Sequence, residues 1–289
     1  MTELRAEARV RILRPSEPAR SFGVAIMAMM WALTSCGDRA RTHTRPEVLV
    51  TMRSGSITAP DSVRPGWTTV RVKEVIDTHI VVLFRLPATV TAAEETAFVA
   101  ALDTAPATPH PGVAIGGNEI GARGDVLLNL TPGVYVIACV RRGGDGHRHA
   151  RAGESRLLRV RPYATANAGD TVPPQTAHDV RMVDFAYVGP DAWTAGTQWL
   201  RIVNTGTQDH QLRLARLRDG ASPQAWLAAE NPDTLSTTVA GMARVGPGEV
   251  AYLPVVLTRG TYIAYCLVGD VATHRPHVEL GMLRIIEVP

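Results

Sequence analysis

Cys266 ends a short apolar run, Gly260-Thr261-Tyr262-Ile263-Ala264-Tyr265, and eleven residues later His277 precedes Met282 by five positions. Near the middle of the chain the same order recurs in altered form. Gly133-Val134-Tyr135-Val136-Ile137-Ala138 runs into Cys139, followed by His147, His149 and then Glu154. Thiol, imidazole, thioether and carboxylate are the side chains that hold metal ions, so both stretches are candidate ligand sets. Laid side by side, His79 matches His210, Leu86 matches Leu217, Tyr135 matches Tyr262 and Cys139 matches Cys266. Two copies of one pattern predict two copies of one domain.

The elements that would carry these residues read as β-strands. Trp67–Val72, His79–Leu86, Asp125–Leu130 and Val134–Val140 alternate or form short apolar runs bounded by Gly and Pro, with Val48–Val50 before them and Leu157–Val160 after. The second half repeats the order with Val180–Tyr187, Trp199–Val203, His210–Leu217, Glu249–Leu253, the Cys266 strand and Leu283–Val288. Thr91-Ala92-Ala93-Glu94 is a capping box opening a helix to about Leu102, and Ser222-Pro223 opens a second, shorter one. Gly116-Gly117 falls in a stretch that reads as a Pro-rich loop. At 289 residues and 45% hydrophobic content, each half has enough chain to bury a core. The expected fold is all-β: two tandem β-sandwiches, residues 48–160 and 179–289, each with a short helix insertion, joined by a Pro/Gly-rich linker at 161–178.

The N-terminus reads as an address. Five arginines precede a twelve-residue apolar run, Phe22–Leu33, too short to span a bilayer but suited to a signal peptide of residues 1–35. The run closes on Leu33-Thr34-Ser35-Cys36, which resembles the lipobox of bacterial lipoproteins. That resemblance implies lipidation at Cys36, a polar tether over 36–47, and a place in the bacterial cell envelope, periplasmic or at the outer membrane. The segment 1–35 carries five Arg and three Glu, so without it the net charge falls from +3 to +1. Nucleic acid is therefore excluded as a partner. With Cys36 lipidated, Cys139 and Cys266 are the cysteines left, and their equivalent positions favour independent thiols or metal ligands over a disulfide.

Taken together, the strand pattern and the Cys–His–Met order resemble the cupredoxin family, Greek-key sandwiches that hold blue copper. Carried onto the second half, the resemblance implies His210 as the early imidazole, Cys266 as thiolate, His277 as the second imidazole and Met282 as axial thioether, with copper as the cofactor. Soft sulfur donors favour Cu(I) and imidazoles suit Cu(II), so such a site serves electron transfer or copper handling. In the family only a few residues separate the Cys from the second His. Here ten intervene before His277 and seven before His274, so the loop must fold back. In the first half the resemblance implies a weaker set, His79, Cys139 and His149 or His147, with Glu154 where Met282 stands. Glu is a hard ligand, and Arg141, Arg142, Arg148 and Arg151 crowd that loop, so a residual site with Cys139 as a small buried hydrophobe is expected. The partners implied are the membrane, through the lipid, and a redox protein. The competing class is a metal-free envelope module that presents loops to a protein. A trinuclear oxidase needs more histidines than the nine present can spare, and no Gly-x-Ser-x-Gly, His-Glu-x-x-His or phosphate loop occurs.

Overall fold

The computed structural model describes residues 45–74, 79–87, 92–104, 112–119, 125–162 and 172–289. The signal peptide, Cys36, most of the tether and residues 163–171 of the expected linker lie outside the described residues.

The chain is all-β in two sheets, with few helices. In the first half the strands are β1 (Glu47–Arg53), β2 (Ser56–Thr58), β3 (Ser62–Val63), β4 (Gly66–Glu74), β5 (Val81–Arg85), β6 (Val113–Asn118), β7 (Val126–Leu130), β8 (Gly133–Cys139) and β9 (Ser155–Val160). The second half supplies β10 (His178–Val183), β11 (Ala186–Val188), β12 (Gly196–Asn204), β13 (His210–Leu217), β14 (Ser236–Val245), β15 (Val250–Leu257), β16 (Gly260–Tyr265) and β17 (Leu283–Val288). One sheet runs β11-β10-β12-β15-β7-β4-β1-β2, the other β17-β16-β13-β14-β6-β5-β8-β9-β3. Each sheet crosses from one half to the other, through β15 on β7 and β14 on β6. The described residues belong to one compact unit.

Alternation explains the layering. In β1 every second residue is buried (Val48, Val50, Met52), and these face the other sheet. The resulting core runs through both halves, from Val50, Leu128 and Ile137 to Leu200, Leu214 and Ile286, and includes both Cys139 and Cys266. The outer face of the second sheet is covered locally. Helix α1 (Ala92–Thr104) lays Phe98 and Leu102 on Phe84, Val136 and Ala243, and the short α2 (Pro223–Ala228) lays Trp226 on Tyr265 and Leu217. Burying each such side chain contributes about 1.5–3 kcal/mol. Ser222 caps α2 by accepting from the Ala225 N–H, with Pro223 at its first turn.

Two strands depart from the sequence expectation. β6 falls where a loop is expected, because Gly116-Gly117 reads as a breaker, and β14 has no clear alternating signal. Val180–Tyr187 is also two strands, β10 and β11, joined by a tight turn at Asp184-Phe185 with Phe185 at φ 64°.

Both cysteines sit at strand ends held by the same local device. Tyr135 donates its hydroxyl to the Thr131 carbonyl and accepts from the Thr131 N–H, and Tyr262 does the same with Thr258. These loops pin the start of β8 and β16, so the far end of each strand delivers its cysteine, Cys139 or Cys266, to the loop that follows it. Among the described residues no helix is long and apolar enough to cross a membrane.

Candidate metal centres

The loop after Cys266 does fold back. His277 donates its N–H to Val268 O (2.8 Å), Val278 to Cys266 O (2.9 Å) and Met282 to His277 O (2.9 Å), while Cys266 donates to Met282 O (3.3 Å). A 3-10 turn, His277–Leu280, carries the imidazole inward, and Gly281 at φ 107° turns the chain on to Met282. Asp270 anchors the outside of the loop through Gln208 and Thr273.

The loop after Cys139 is built the same way. His149 donates to Arg141 O (2.9 Å), Glu154 to His149 O (3.2 Å) and Cys139 to Glu154 O (3.0 Å). The turn His149–Ala152 ends on Gly153 at φ 104°. Glu154 thus takes the backbone position of Met282. A left-handed turn residue of this kind favours glycine, and both loops have one.

In the second cluster His210 Nδ1 lies 3.1 Å from His277 Nδ1, and Cys266 Sγ lies 3.5 Å from His277 Nδ1. The three ligand atoms fall within 4.8 Å of one another, and all three residues are buried. Met282 is fully buried in the same core as Cys266. Asp184 accepts from His210 Nε2 at 2.9 Å, which by the hydrogen-bond pattern leaves Nδ1 as a lone pair aimed into the cluster. Phe185 stands edge-on to His277 at 5.3 Å, and His277 Nε2 is buried without a hydrogen bond. Burial pushes the Cys266 thiol up to about 12 and the His277 imidazole down to about 4, with His210 adding to the latter. Burial also lowers His210, against Asp184. The cluster is therefore a neutral thiol and two neutral imidazoles at pH 7. A cation in place of the proton between the two Nδ1 atoms would satisfy both nitrogens and the thiolate at once, so the donor set fits a metal ion.

The first cluster is equally convergent. Cys139 Sγ lies 3.7 Å from both His79 Nδ1 and His149 Nδ1. Glu154 Oε2 lies 2.8 Å from His79 Nδ1 and 3.3 Å from His149 Nδ1. All four ligand atoms fall within 4.8 Å of one another. Gly55 N–H holds the other carboxylate oxygen at 3.0 Å. Burial pushes the Cys139 thiol up to about 12 as well. Cys139 and Cys266 are both free.

Among the alternatives, His149 enters the first cluster and His147 does not. His147 Nδ1 bonds Asp103 Oδ2 at 2.8 Å, with its side chain 48% exposed. His274 is exposed and takes φ 61°, leaving His277 to meet the thiol. Three of the four arginines expected to crowd the first mouth are directed elsewhere. Arg148 donates to Leu102 O and Val140 O, Arg151 to Asp103, and Arg142 to Asp103 O and Gly146 O. Asp103, held low by the Arg148 N–H despite burial, offsets part of that charge. Sequence reasoning missed Asp184, and no motif marks it: it is one acid in a Val-Asp-Phe-Ala turn, and only the fold brings it to His210.

No family model matches the chain, and no curated protein matches it. Among solved structures it is similar to dithionite-reduced auracyanin from Roseiflexus castenholzii, at 20% identity over 38% of this chain and 94% of that one, with a TM-score of 0.27. Auracyanin A of Chloroflexus aurantiacus, a "blue" copper protein, matches at 17% identity over 38% of this chain and 96% of its own, TM-score 0.26. A Cu-containing nitrite reductase from Thermus scotoductus matches at 14% identity, covering 84% of this chain and 61% of that one, TM-score 0.23.

Proposed function

We propose that the chain holds copper among His210, Cys266, His277 and Met282 and uses it for electron transfer or copper handling in the bacterial cell envelope. One observation carries the reading: two buried imidazole Nδ1 atoms 3.1 Å apart, with a buried thiol 3.5 Å from one of them. Bound copper would supply one-electron chemistry, since sulfur donors suit its reduced form and imidazoles its oxidised form.

The chain's own residues do the rest. Asp184 holds His210 in one tautomer, Cys266 releases its proton on binding, and the backbone ties from Cys266 and His277 to Met282 fix the loop. Phe185 and the surrounding core exclude water from the imidazoles. Donors held this firmly move little when the charge of the centre changes, which favours electron passage.

The wider organisation belongs to the same proposal: a signal peptide of residues 1–35 cut before a lipidated Cys36, a tether over 36–47, and tandem cupredoxin-like Greek-key domains at 48–160 and 179–289. The matching hydrogen bonds of the two loops support a duplication. A redox protein meeting this one at the membrane surface is the partner that fits.

Titrating the purified chain with Cu(II) tests the centre. Thiolate-to-copper charge transfer should colour the protein, and Cys266→Ala should abolish the colour. A colourless protein that also takes up no Cu(I) would hand the case to a metal-free module that binds a protein partner.

A further inference from the structure

The two clusters share a backbone frame but differ in one donor, and that donor changes the charge each can bury. In the second, the ligands when deprotonated carry one negative charge, from Cys266, so Cu(I) leaves the site neutral. In the first, Cys139 and Glu154 together carry two, and both residues are nearly sealed from water, at 0% and 3% exposure. A monovalent ion there would leave a net negative charge in the core. A divalent ion leaves none, and burying net charge is costly.

The geometry agrees. Two imidazole nitrogens, a thiolate and a carboxylate oxygen are donors that zinc accepts, with bonds near 2.0–2.1, 2.3 and 2.0–2.2 Å, so a tetrahedral site has donor–donor edges of about 3.4–3.6 Å. The thiol stands 3.7 Å from each imidazole and the carboxylate 3.3 Å from one of them. Of these four distances only the His79–Glu154 contact, 2.8 Å, is short, as a hydrogen bond between them requires. The Gly55 N–H bond to the second carboxylate oxygen leaves Oε2 turned to the imidazoles.

We infer that His79, Cys139, His149 and Glu154 form a closed site for a divalent cation of the zinc type, one that rejects Cu(I). The site ties the approach to β5, the end of β8 and the loop that leads on to β9 together, and its role is structural. It stands on the first cluster alone and does not depend on what the second cluster binds.

The test uses the purified full chain and two probes separately, Zn(II) and Cu(I), each against a competing chelator. One Zn(II) should be held per chain, weakened at least about tenfold in Glu154→Gln and unchanged in His277→Ala. Cu(I) should bind at no more than one equivalent, unaffected by Cys139→Ser. Glu154→Met, which removes the charge and adds a thioether, should raise the Cu(I) stoichiometry by one, and because it gains binding it cannot be mistaken for misfolding. Zn(II) uptake that is absent, survives Glu154→Gln, or vanishes in His277→Ala would overturn the assignment, as would Cu(I) bound by the parent chain and lost in Cys139→Ser. Failure of the copper reading shows separately, as the absence of Cys266-dependent colour.

Discussion

At the scale of single residues, the second cluster depends on a group that ligates nothing. His210 is fully buried, and its ring could rotate or change tautomer were Nε2 not held by Asp184 at 2.9 Å. Asp184 is itself fixed, accepting from the Thr207 N–H and hydroxyl. Partners of this kind typically contribute 10–100-fold in metal affinity. Asp184→Asn should therefore weaken copper binding by roughly that factor in a chelator competition, with the thiolate-to-copper colour still forming at saturation because Cys266 is untouched. Unchanged affinity would mean that packing alone orients His210. Asp184 shows one limit of the sequence: an acid in a turn has no spacing relation to a histidine 26 positions on. By contrast His149 and His277 each precede a glycine by four residues and the Glu or Met by five, a pattern visible in the chain once the left-handed turn at Gly153 and Gly281 is known.

At the scale of elements, the strands that carry or border the donors are legible in the sequence, and the pair that joins the halves in the second sheet, β6 and β14, is not. β8 and β16 are unbroken apolar runs started by a glycine and tied by a tyrosine, so periodicity and turn residues suffice. β6 hides because its two glycines mimic a loop. Their reason is steric: a Cβ on Gly117 would lie 1.9 Å from the Val81 carbonyl oxygen, and one on Gly116 would lie 2.7 Å from Leu128. β6 must press against β5, whose register with it shifts between Leu83 and Phe84, and no side chain fits there. Gly117→Ala should destabilise the chain by roughly 1–3 kcal/mol or more, read as a lowered denaturant midpoint. The displaced neighbour is Val81, which pairs with Cys139, so zinc affinity at the first cluster should fall in the same variant. A Gly117→Ala protein of parental stability would show that β6 can move away from β5 at little cost.

At the scale of the whole molecule, the two clusters lie along one row of one sheet. Cys139 faces Val81, Val81 faces Asn118, Asn118 faces Met242, Met242 faces Leu212, and Arg213 next to it faces Tyr265, the neighbour of Cys266. Five strand spacings of about 4.8 Å put the cysteines on the order of 24 Å apart along the sheet. That distance is far enough for substitutions at one cluster to act additively with those at the other. Folding is another matter, because the core is continuous and contacts cross between halves. Ala243 of β14 is fully buried among Phe84, Val136 and Leu102 of the first half. Ala243→Asp would bury an uncompensated carboxylate there at roughly 3–5 kcal/mol. If the halves melt as one, the metal-free parent gives a single calorimetric transition whose calorimetric and van't Hoff enthalpies agree. In the variant that one peak should then move down whole. A peak that splits, with one part holding the parental temperature, would show the halves unfolding independently and the shared sheets contributing little to cooperativity.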